Sequence, residues 1–165
     1  MKRITWWPQS WLGLTFNWGA LMGFAAAVRV FLADGTPAGA LAAPAVLLYL
    51  GGVFWTLGYD TIYALQDIED DAMVGVKSSA RRLGANVRAG VGVFYALAGL
   101  LAAAAGYLAG LGPLFWLGLA AYAGHLALQT ARVRADDGAL ALRLFKSNRD
   151  AGLILLAAIV MGGLS

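Results

Sequence analysis

Leu41-Ala42-Ala43-Pro44-Ala45-Val46-Leu47-Leu48-Tyr49-Leu50-Gly51-Gly52-Val53-Phe54-Trp55-Thr56-Leu57-Gly58-Tyr59-Asp60-Thr61-Ile62-Tyr63 carries no charge before Asp60. A helix crosses ~30 Å of hydrocarbon with about 20 apolar residues, so this run is read as a transmembrane helix. Four weaker runs flank it, at about 11–28, 89–108, 114–131 and 151–164. The pair 89–108 and 114–131 is divided by Gly110-Leu111-Gly112-Pro113, a tight turn signal. Trp6, Trp7 and Trp11 open the first run, where amphipathic rings suit a membrane interface. The fold expected is all-α, a polytopic membrane bundle of about five transmembrane helices in one domain over residues 1–165.

Composition supports the same solvent. Of the 165 residues, 61% are hydrophobic and 13% charged, with a mean hydropathy of +0.71. Soluble domains run at about 45–50% apolar and about 25% charged, and one small core cannot bury the excess. Without cysteine, disulfides and thiolate metal sites are excluded. The basic residues follow the loops rather than a face, so nucleic-acid binding has no support. Met1-Lys2-Arg3 before an apolar run resembles a signal peptide, but Pro8 and Gln9 interrupt it and four more runs follow.

With the amino terminus cytoplasmic, eleven of the twelve Lys and Arg residues fall on the inner side and Arg29 alone on the outer. That is a strong positive-inside bias. Eight of the nine acids share the inner side, with Asp34 the exception.

The chemically informative stretch follows the long span: Asp60-Thr61-Ile62-Tyr63-Ala64-Leu65-Gln66-Asp67-Ile68-Glu69-Asp70-Asp71. On a continuing helix Asp60, Tyr63, Asp67 and Asp71 share one face, with Asp70 at its edge. Like charges so close repel and call for a cation. Carboxylates are hard ligands, and Mg²⁺ is bound through one or two of them plus substrate phosphates, so Asp67-x-x-x-Asp71 reads as half of a metal–diphosphate site. A solvated acidic helix end beside Lys77, Arg81 and Arg82 is the alternative. Asp60, at membrane depth, is a functional candidate because intramembrane carboxylates are costly. Lys77 and Arg81 stand four apart, able to present charge to an anion.

Asp60-x-x-Tyr63-Ala64-x-x-Asp67-x-x-Asp70-Asp71 with Gly75-Val76-Lys77-Ser78 resembles the second aspartate-rich motif of the UbiA-type intramembrane aromatic prenyltransferases. The nearest branch is the one that prenylates 4-hydroxybenzoate in ubiquinone synthesis. The opening Lys2-Arg3-x-Thr5-x-x-Pro8-Gln9 and the later Phe145-x-x-Asn148 are similar to other parts of that family. The resemblance implies a nine-helix bundle whose two aspartate motifs hold Mg²⁺ on a polyprenyl diphosphate. The first motif is not found here, so the chain is expected to be a carboxy-terminal portion, inactive alone and completed by an amino-terminal half.

Carried over residue by residue, Asp67 and Asp71 are candidate metal ligands, with Asp70 a third, and Asp60 is a second acidic contact. Asp60, Asp67 and Asp71 are thus the candidate catalytic residues; Lys77, Arg81 and Tyr63 are candidates for the diphosphate. The implied partners are polyprenyl diphosphate, 4-hydroxybenzoate and the bilayer, and the implied location is a bacterial inner membrane with the aspartates cytoplasmic. The competing reading is an inactive membrane fragment that binds the diphosphate or serves assembly. His125 reads as a hydrogen-bonding group between helices, Asp136 and Asp137 as a solvated loop, and Asn148-Arg149-Asp150 as a cap on the last helix.

Overall fold

The structure, a computed structural model, describes residues 3–31 and 43–165, without the side chains of 28–31, 69, 70 and 72. Arg29 and Asp34, the two exceptions in the charge count, lie outside what is described. The order is α1 Pro8–Phe16, α2 Trp18–Phe31, α3 Ala43–Tyr63, α4 Ile68–Met73, α5 Ser79–Leu83, a 3₁₀ turn Gly84–Asn86, α6 Val87–Leu108, α7 Pro113–Arg132 and α8 Gly138–Gly162. No strand occurs among the described residues.

The turn signals act through backbone geometry. Gly110 has φ +65°, with Leu111 N–H donating to Gly106 O and Gly110 N–H to Tyr107 O. This is the Schellman arrangement that satisfies a helix's last carbonyls. Pro113, with no N–H to leave unpaired, then starts α7.

α3 is the centre of the bundle. It packs along α6 and also touches α1, α2 and α8, while α7 lies between α6 and α8. Gly58 lets the Tyr95 ring of α6 approach α3, for a Cβ there would sit 2.3 Å from Tyr95 Cε1. Small residues at crossings give backbones this proximity, the main source of helix association in lipid. Of the other glycines read as packing points, Gly13 meets Val53 and Gly106 meets Phe115, whereas Gly19, Gly23 and Gly99 face open space.

The outer faces are apolar. Leu100, Leu117, Leu153 and Val160 are all more than half exposed. So broad an apolar exterior is foreign to a soluble monomer. Two segments, Ala43–Tyr63 and Ser79–Leu108, are long and apolar enough to cross a membrane by length and composition. The molecule is an all-helical membrane bundle.

Three local expectations are corrected. The first run is two helices, broken at Asn17, whose Nδ2 donates to Gly13 O at 2.8 Å and competes there with the backbone N–H of Asn17 itself. α3 does not continue through the aspartates, because the chain leaves the helix at 64–67 by the tighter bonds Leu65 N–H to Ile62 O and Gln66 N–H to Tyr63 O. The last helix starts at Gly138, capped by Asp137, whose side chain accepts from Leu140 N–H at 2.8 Å. Asp137 is therefore a cap rather than loop, and Asn148 a buried mid-helix residue rather than a cap.

Candidate metal and diphosphate site

The acidic residues occupy two short helical pieces. Asp60 lies in the last turn of α3 and is half-buried. After the turn, Asp71 N–H donates to Asp67 O at 2.7 Å, which places these two residues one helical turn apart at the start of α4. Asp67 is exposed and Asp71 half-buried. The single face that a continuous helix would give Asp60, Tyr63, Asp67 and Asp71 is thus divided, and only Asp67 with Asp71 keeps the i, i+4 relation. The Glu69 and Asp70 side chains lie outside the described residues.

The loop after α4 is closely tied. Gly75, at φ +71°, ends α4 with Val76 N–H donating to Asp71 O at 2.8 Å, the same device as at Gly110. Nη1 of Arg81 donates to Asp71 O and Val76 O. Ser78 Oγ accepts from Arg81 N–H, and Gln9, buried at the start of α1, accepts from Ser79 N–H at 3.3 Å. Thr61 Oγ1 and Ser79 Oγ lie 2.6 Å apart. These bonds fix α4 against α3, α1 and α5, so Asp67 and Asp71 stand on a braced turn.

The cations expected at a diphosphate face Trp6. Lys77 Nζ and Arg81 Cζ lie 5.8 and 5.6 Å from its ring centroid, within cation–π range. Lys77 also donates to Ile4 O at 3.2 Å. Tyr63, 40% exposed, packs its ring 4.8 Å from that of Phe145 on α8, so it belongs to an aromatic seam between α3 and α8.

No cluster of three or more acids, histidines or cysteines exists among the described residues. That is compatible with Mg²⁺, which keeps waters and needs only one or two carboxylates when phosphate oxygens complete the shell. Asp67 and Asp71, hard oxygen donors one turn apart beside an open surface, fit such a half-site.

Below the aspartate turn lies a cavity of about 360 Å³ between the Asn17 break, α3 at Trp55–Tyr59 and α8 at Phe145–Arg149. Asn17 Nδ2 also donates to Thr56 Oγ1 at 3.0 Å. Asn148 Oδ1 accepts from Trp55 Nε1 at 2.8 Å and from the Tyr95 hydroxyl at 3.3 Å. Tyr95 also donates to Gln129 Oε1 at 2.7 Å, and Gln129 Nε2 meets Ser147 Oγ and His125. His125 therefore bonds within α7, and Gln129 makes the link between helices. A buried polar chain across four helices was not read from the sequence; amides at mid-span in apolar runs were its signal.

The model of the UbiA prenyltransferase family matches residues 1–159. The chain belongs to the UbiA prenyltransferase family. It is 44% identical over 162 residues to the mitochondrial 4-hydroxybenzoate polyprenyltransferase of Arabidopsis thaliana, covering 98% of this chain and 38% of that protein. The mitochondrial protein of the same name from Rattus norvegicus is 44% identical over 170 residues, 99% of this chain and 41% of its own length. The one from Drosophila melanogaster is 40% identical over 166 residues, 99% and 40%. The chain thus spans about two fifths of the length of the curated relatives it matches. No solved structure gives a significant match. As a UbiA-family chain it is a membrane protein, and the aspartate turn lies within the matched region.

Proposed function

We propose that this chain supplies the second aspartate motif and part of the substrate chamber of a 4-hydroxybenzoate polyprenyltransferase acting in ubiquinone synthesis. The observation that carries the reading is Asp67 and Asp71, one turn apart on α4 at the open end of an apolar bundle. The family and the names of three relatives at 40–44% identity support the substrate assignment.

In this reading Asp67 and Asp71 hold Mg²⁺ against the diphosphate, with Asp60 at the end of α3 as a further acidic contact. Charge neutralisation of the departing diphosphate is the chemistry that bound Mg²⁺ supplies there. The bond between the allylic carbon and the diphosphate oxygen breaks, and that carbon bonds to the ring carbon ortho to the phenol. That ring carbon then loses its proton. Lys77 is placed to meet the diphosphate once it leaves Trp6 and Ile4 O. Water is kept from the allylic centre by the aromatic seam Tyr59, Tyr63 and Phe145.

Two apolar cavities of about 200 and 220 Å³ continue along α3 and α8 away from the aspartates. They share Ala20, Leu48, Ala102 and Ile159, a path suited to an isoprenoid tail. The location in this reading is a bacterial inner membrane with the cation-rich, aspartate-bearing side cytoplasmic, and it rests on the charge count of the sequence.

The test is transfer from a polyprenyl diphosphate to radiolabelled 4-hydroxybenzoate in Mg²⁺-containing membranes. The chain is expressed alone, and then with the amino-terminal part of a relative. Product in the combined preparation, lost on Asp67→Ala, is expected. Product that is indifferent to Asp67→Ala and Asp71→Ala, or none in any combination, overturns the reading.

A further inference from the structure

The 360 Å³ cavity under the aspartate turn joins three features rarely found together inside a membrane bundle. Its walls are aromatic: Trp55 and Tyr59 meet edge to face at 5.8 Å, and Tyr59 and Phe145 at 5.8 Å. Its inner lining carries amides and a hydroxyl, from Asn17, Asn148 and Thr56. Its rim carries two cations, Lys146 and Arg149, one turn apart on α8. Arg149 pairs with Asp150 at 2.8 Å, while Lys146 is in no ion pair among the described residues. One positive charge is therefore uncompensated at the mouth.

We infer that this cavity binds a single-ring aromatic carboxylate, its carboxylate on Lys146 and Arg149 and its ring between Trp55, Tyr59 and Phe145. The inference rests on the proposed function, whose acceptor it locates. A cavity at the small end of the ~300–1,000 Å³ range of ligand sites suits one ring rather than a polyprenyl chain. An ammonium and a guanidinium on adjacent turns match the two oxygens of a carboxylate. Trp55 and Asn148 hold each other, so wall and lining are fixed before a ligand arrives.

The site is also well placed. Thr56 and Asp60 are four residues apart on α3, about 6 Å along its axis. Tyr59 and Phe145 continue into the contact of Phe145 with Tyr63, so the cavity's roof is the floor of the aspartate turn. The neighbouring apolar cavity shares Asn17 and Trp55 with it. A tail lying there runs beside the ring.

The test is equilibrium binding of radiolabelled 4-hydroxybenzoate to the 165-residue chain in lipid nanodiscs. It compares wild type, the double variant Lys146→Met with Arg149→Met, and the charge-keeping Lys146→Arg. Two charge-assisted bonds predict affinity about tenfold or more weaker in the double variant, and near wild type in Lys146→Arg. The neutral 4-hydroxybenzamide is expected to bind wild type and double variant alike. Undiminished acid binding in the double variant overturns the inference, as does an equal loss of the amide. Farnesyl diphosphate binding with Mg²⁺ separates the two readings. If the wild-type chain binds the diphosphate and no acid, the cavity assignment falls and the metal half-site stands. If it binds the acid through Lys146 and Arg149 but no diphosphate, the proposed function falls and the aromatic-acid site stands.

Discussion

Trp55 and Asn148 are joined across the bundle by a 2.8 Å hydrogen bond from the indole Nε1 to the amide oxygen, and the Tyr95 hydroxyl reaches the same oxygen at 3.3 Å. One side chain on α8 thus satisfies donors from α3 and α6. In hydrocarbon no water stands in for a lost acceptor. Asn148→Ala is therefore expected to lower stability by about 1–3 kcal/mol. Trp55→Phe, which removes one donor and leaves no acceptor stranded, should cost less. Unfolding of both variants in mixed micelles, followed by circular dichroism, checks the order; equal stability of wild type and Asn148→Ala would refute it.

Asp67→Ala and Asp71→Ala should each reduce Mg²⁺-dependent diphosphate binding by about tenfold to a hundredfold, the range for loss of groups around a metal. Melting temperature should barely move for Asp67, which is exposed. Chelation with EDTA should reproduce the binding loss in wild type and add nothing to it in the variants. Calorimetric titration with farnesyl diphosphate reads all three.

Gly75→Ala separates conformation from space. A Cβ there meets nothing within 4 Å, yet φ is +71°. The expected loss is about 1 kcal/mol from the left-handed backbone alone. Diphosphate affinity should fall with it, because Val76 N–H on Asp71 O ends the aspartate helix. Unchanged thermal stability would show that the turn has another conformation available.

Arg81 makes bonds that lysine cannot copy. Its Nη1 joins Asp71 O and Val76 O, a bridge suited to a planar fork and poorly served by a mobile ammonium. Arg81→Lys should therefore weaken Mg²⁺-dependent diphosphate binding about as much as Arg81→Met does. Rescue of affinity by lysine would instead assign Arg81 directly to the anion.

The long helices were legible because their signals are strong and local. The uncharged run before Asp60 marks α3, and the Gly110–Pro113 break places the end of α6 and the start of α7 within two residues. The break at Asn17 was not legible, since hydropathy does not register one amide bonding into its own helix. The turn at 64–67 was hidden for a different reason: Asp67 and Asp71 keep i, i+4 spacing whether or not the helix runs on to them. Asn148 was misread as a cap because the hydropathy of α8 rises only after it, while the helix starts ten residues earlier at Gly138. The cavity itself depends on residues from α1, α3 and α8 meeting, which no local pattern records.

The bond between Trp55 and Asn148 spans 93 residues of sequence. At the ribosome's roughly 5–20 residues per second, the indole N–H of Trp55 waits about 5–20 s for its partner to be made. α3, α6 and α7 all enter the bilayer before the group that closes their shared polar centre exists. The nascent bundle must hold an open, hydrated middle through that interval, and it becomes watertight only with its last helix.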